Sequence, residues 1–156
     1  MAAEEGDILD LDVPEWAERQ AALLRRHAAG EAVAGIDFGT IAGQLELIAK
    51  SEVAAFRSLI TAALSHLLKS RAMPDHPARP HWLLEAETFL DQCRDVWSPS
   101  MARRIEIGRL YDRARRLVLL EYPQVDAQLM QATCPFTLAD FVEPSTEVAA
   151  LLDKLR

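Results

Sequence analysis

The chain has 156 residues, half of them hydrophobic, with 24 Asp and Glu against 17 Lys and Arg and a formal net charge of -7. That length suits one domain able to bury roughly 70% of its unfolded surface, and the apolar share excludes a disordered chain. The negative balance argues against nucleic-acid or anionic-membrane binding, which reward positive charge, and no apolar run approaches the ~18 residues of a membrane helix.

Residues 1–12 read as a flexible acidic N-terminus and 13–156 as a single helical bundle domain. Nothing at the start has the basic-then-apolar order of a secretion signal. Cys93 and Cys134 are too few for a disulfide framework, so both are read as free thiols of a cytoplasmic protein.

Apolar residues recur at three- and four-residue spacing throughout, which predicts an all-α antiparallel bundle, about three-quarters helix. Four main helices are expected, with short C-terminal helices packed across one end. The first runs from Val13 to Ala29, with Asp12 and Glu15 as a capping pair, Pro14 in the first turn and Gly30 as the stop. Trp16, Leu23 and Leu24 face inward, and Gln20 and His27 point the same way.

The second and longest helix spans Phe38 to Arg71 with Asp37 as cap. Its stripe is Ile41, Leu45, Ile48, Phe56, Leu59, Ile60, Ala63 and Leu67. Met73–Pro80 holds three prolines and must be a linker. The third helix follows from His81 to Trp97. The fourth starts at Ser98-Pro99-Ser100 and ends near Tyr122. Shorter helices are expected at Gln124–Ala132, from Thr137 through Phe141, and at Thr146–Leu155, the last amphipathic.

Catalytic motifs are scarce. No phosphate-cradling glycine loop, H-E-x-x-H, paired C-x-x-C or nucleophile elbow occurs. The strongest anomaly is polar residues on faces that should be buried. Glu52 falls at the centre of the long helix's stripe, and Arg103 on the apolar side of the fourth helix with Ile107, Leu110 and Ala114. A buried carboxylate needs a partner, so Gln20, Glu52 and Arg103 are read as a buried polar network. A sharper alternative makes Glu52, with His27 or His66, an acid–base pair or part of a metal site in a mid-bundle pocket. Glu52 and His66 lie roughly 21 Å apart along a straight helix, which already strains that alternative. A second alternative is binding of a nucleic-acid backbone by the row Arg109, Arg113 and Arg116, whose bland reading is a solvated face paired with Glu85, Glu87 and Asp91.

Several motifs in fixed order resemble the bacterial domain of unknown function 29 family. They are W-x-x-x-Q-x-x-L-L-R (Trp16 to Arg25), I-A-x-x-L-E-x-I-x-K-S-E (Ile41 to Glu52), L-x-H-L-L-K (Leu64 to Lys69), S-P-S at 98–100, and C-P-F-T-L (Cys134 to Leu138). The resemblance implies a small helical domain of the bacterial cytoplasm and no established activity. Members usually carry acidic residues where this chain has Gly43-Gln44, and a glycine at Ala49. The favoured expectation is a non-enzymatic protein–protein interaction module, pairing with a partner or a second copy, with no cofactor and no metal.

Overall fold

The computed structural model describes residues 12–155. Of these 72% are helical and none is in a strand, so the class is all-α, as the spacing predicts. The chain divides into two compact units, Met1–Ala49 and Lys50–Arg156.

In the first unit, α1 spans Val13–Ala28. Asp12 caps it by accepting from the Glu15 amide at 3.2 Å, and Gly30 ends it at φ +87°, a conformation that favours glycine. The chain returns through residues 31–37 to α2, which spans Phe38–Ala72. Asp37 caps α2: its carboxylate accepts from the Thr40 amide at 2.9 Å and the Thr40 hydroxyl at 2.7 Å. Those bonds hold its carboxyl below the usual range.

α2 has 35 residues and is about 50 Å long. Its stripe exists as expected, but its cover begins late. Phe56 is 0% exposed, whereas Phe38, Leu45 and Ile48 on the same side are 60%, 62% and 56% exposed. From Ile60 onward the helix is enclosed on nearly every side, so that Thr61, Lys69 and Ser70 are buried along with the leucines.

In the second unit, α3 spans Arg79–Val96 and buries Trp82, Ala86, Leu90 and Cys93. The expected fourth helix is two elements. A 3-10 helix covers Pro99–Arg104, the chain then extends through Ile105, and α4 runs from Ile107 to Glu121. Ile105 and Ile107 are both buried, and extended backbone between helices lets residues two apart both reach the core. The break also removes Arg103 from the α4 face on which unbroken periodicity would place it. The expected helix at Gln124–Ala132 is a loop with one 3-10 turn, Ala127–Leu129. Side chains of α4 hold it instead: the Tyr111 hydroxyl donates to the Gln131 carbonyl at 2.8 Å, and Arg115 to that of Ala127 at 3.0 Å.

Two short helices, α5 (Ala139–Val142) and α6 (Val148–Lys154), pack on α3. Lys154 and Asp140 join them through an ion pair of 2.6 Å. Leu151 and Leu155 enter the core and Val148 and Leu152 pack against it, so this amphipathic end is consumed inside its own unit.

Candidate functional site

The residues nominated from sequence have three separate settings. Gln20 is 6% exposed and polar by necessity: its amide donates to the Gly35 carbonyl at 3.2 Å and accepts from the Asp37 amide at 2.9 Å. It satisfies the backbone of the connector that turns α1 back into α2, where a lost bond would strand buried polar groups. Glu52 is exposed, one turn ahead of the point where the stripe is covered, and Arg103 is exposed on the 3-10 helix. The expected buried network of Gln20, Glu52 and Arg103 is therefore corrected, because neither charge is taken out of water.

The histidines do not form a catalytic set with Glu52. His27 is exposed, edge-on to Phe38 at 6.4 Å between ring centres. His66 is half-buried, stacked on Phe89 at 5.7 Å, and its Nδ1 has no hydrogen-bond partner among the described residues. Burial first, then the charge of Lys69, lowers its pKa, while Glu85 and Glu121 act the other way. Among the described residues no three His, Cys, Asp or Glu side chains gather as metal ligands. Burial pushes the Cys93 thiol up to about 12 and raises that of Cys134, so both remain protonated and unreactive at neutral pH.

Arg109, Arg113 and Arg116 form the expected solvent face of α4. Arg109 pairs with Glu106 at 2.7 Å. Glu87 and Asp91, expected to serve this row, lie within ion-pair distance of Arg94 on their own helix.

The cluster that sequence reasoning missed surrounds Lys69. Its ammonium lies 3.3 Å from a Glu121 oxygen, 5.4 Å above the Trp82 ring and 5.8 Å above that of Tyr122. His76, from the proline linker, stacks on Trp82 at 4.6 Å and meets the edge of Tyr122 at 5.9 Å. Its Nδ1 accepts from the Ala78 amide at 3.1 Å, which leaves any ring proton on Nε2. Aromatic faces and one carboxylate here compensate a lysine that is largely out of water. The arrangement ties the end of α2, the linker, α3 and the end of α4 to one cation. Lys69 lies outside the arc of the stripe, about 120° around α2 from its centre at 100° per residue, so periodicity alone assigns it to solvent. The only sequence signal is its place in L-x-H-L-L-K beside a tryptophan-bearing helix.

The first unit carries an apolar groove of about 160 Å³ between α1 and the start of α2, lined by Trp16, Leu24, Ile41 and Leu45 with Gln20 and Gln44. Gln20 is the one buried residue of α1, so the helix leaves its apolar side chains at least partly open.

Glu121→Gln is expected to cost about 2 kcal/mol in urea unfolding, because the buried ammonium loses its charged partner. Lys69→Met, which removes the charge, should cost less. His66 titrates in the opposite sense to a paired histidine. Its folded pKa lies below 6.5, so the unfolded chain takes the proton first. Stability from this group is complete above pH 6.5 and falls as pH drops toward the folded value. Comparing urea midpoints at pH 7.5 and 5.5, the wild type should lose more than His66→Gln.

No curated protein matches the chain. Among solved structures, an α-helical protein of unknown function from Rhodospirillum rubrum is similar, with a TM-score of 0.68 and 24% identity over 97% of this chain and 99% of that one. At that identity the likeness is one of fold. The sequence from residue 8 to residue 146 matches the family described as Domain of unknown function DUF29. With nearly its whole length matched, and with the helical fold in agreement, the chain belongs to that family.

Proposed function

We propose that the protein is a non-enzymatic interaction module, and that it pairs with a second copy through the first unit. The observation that carries this reading is the uncovered apolar side of early α2. Phe38, Ile41, Leu45 and Ile48 fall within an arc of roughly 80° at 100° per residue, and three of them are more than half exposed. Two of the four, Ile41 and Leu45, also form one wall of the groove that Trp16 and Leu24 complete, so Phe38 and Ile48 flank it as the free part of the ridge's length. An apolar ridge beside an apolar groove between helices is the geometry of helix-in-groove recognition. A ridge and a groove on one surface are also what a two-fold pair needs, since each copy offers both halves of the contact. The C-terminal helix, another apolar face in the sequence, is already buried in the second unit's core and is not available for this role.

Light scattering on the eluting protein tests the reading. The wild type should be a dimer at micromolar concentrations. Leu45→Glu with Ile48→Glu should be a monomer with unchanged helix content, because both residues are exposed, and its melting temperature should no longer rise with protein concentration as that of the wild type does. A monomeric wild type across that range would contradict the proposal.

A further inference from the structure

A cleft of about 490 Å³ opens in the second unit between the end of α2, the start of α3 and α6. Its walls include Ser70, Arg71, Arg79, Leu152 and Asp153. Two of these are arginines held in place by the backbone. Arg71 donates its Nε–H to the Leu155 carbonyl, and Arg79 donates its own to the Ser70 carbonyl at 3.1 Å. Each bond fixes a guanidinium plane and, among the described residues, engages only one of its five N–H donors. Neither arginine makes an ion pair with any described residue, although the chain carries a net charge of -7. Ser70, on the same wall, is 1% exposed, and its hydroxyl has no hydrogen-bond partner among the described residues. A buried hydroxyl without a partner costs free energy, and the two guanidiniums face only the one carboxylate of Asp153 among the described residues of this concavity, a local excess of positive charge. One oxyanion would offset both costs.

We propose that this cleft binds the phosphate group of a small organic phosphate, with Arg71 and Arg79 donating to its oxygens and Ser70 supplying a further donor. Planar guanidinium donors match phosphate geometry. The volume falls in the range of small-molecule pockets, which leaves room for an organic portion against Pro74, Ala149 and Leu152. Asp153 disfavours a second anionic group and accepts from a hydroxyl, so a sugar phosphate fits better than a diphosphate. This site uses none of the residues proposed for pairing.

The test is calorimetric titration of the full chain with inorganic phosphate and with ribose 5-phosphate, alongside thermal melts. Both ligands should bind and raise the melting temperature with concentration, ribose 5-phosphate more tightly. Ser70→Ala should melt no lower than the wild type, because the hydroxyl has no bond to lose, yet should bind about tenfold more weakly. Arg71→Lys should weaken binding similarly, and Asp153→Asn should strengthen it. Binding of inorganic phosphate alone would restrict the site to the free ion and overturn the sugar-phosphate assignment. No binding of either ligand at millimolar concentrations, or equal binding by wild type, Ser70→Ala and Arg71→Lys, would overturn the site.

Discussion

A helix of 35 residues in a folded protein is held chiefly by whatever covers its apolar side, since packing of an amphipathic face supplies more helical stability than propensity does. In α2 that cover is unequal. From Phe56 to Ala72 the helix is the centre of a core shared with α3, α4, α5 and α6, and several of its polar residues are enclosed with the leucines. From Phe38 to Ile48 the same stripe faces water. The satisfied lysine at one end and the open apolar ridge at the other both follow from this single difference.

The buried end shows how polar groups are handled when a helix is surrounded. Lys69 keeps its charge near Glu121 and over two aromatic rings, whereas Thr61 returns its hydroxyl to the Arg57 carbonyl at 2.8 Å. Ser70 makes no such return, and it is the residue that borders the cleft with the two fixed arginines. One buried hydroxyl satisfied within its helix and another left without a described partner beside two arginines is a difference that packing of the core alone does not explain.

Much of the fold was legible because its signals are local. Asp12 and Asp37 cap as their positions predict, Gly30 ends α1 in a left-handed turn, and the proline linker breaks where it must. The failures share one cause. Periodicity reports which residues lie on one side of a helix, not whether anything covers that side. Glu52 was placed correctly on the stripe of α2 and wrongly in the interior, because the cover starts at Phe56. Lys69 lies outside the arc of the stripe and is buried by aromatic residues from distant positions, Trp82 and Tyr122, which no short window contains. Arg103 was misplaced because two isoleucines spaced by two pull the chain out of the helix between them. Gln20 was rightly singled out as polar on an inner face, but its partners are backbone groups of a connector, which carry no side-chain signature.

The uneven cover of α2 can be read directly by amide hydrogen exchange followed at two protein concentrations. Amides from Phe56 to Ala72 should exchange only through global unfolding, whereas those from Phe38 to Ile48 should exchange faster and gain protection as concentration rises. Uniform protection along the whole helix, independent of concentration, would contradict both the uncovered ridge and its role in pairing.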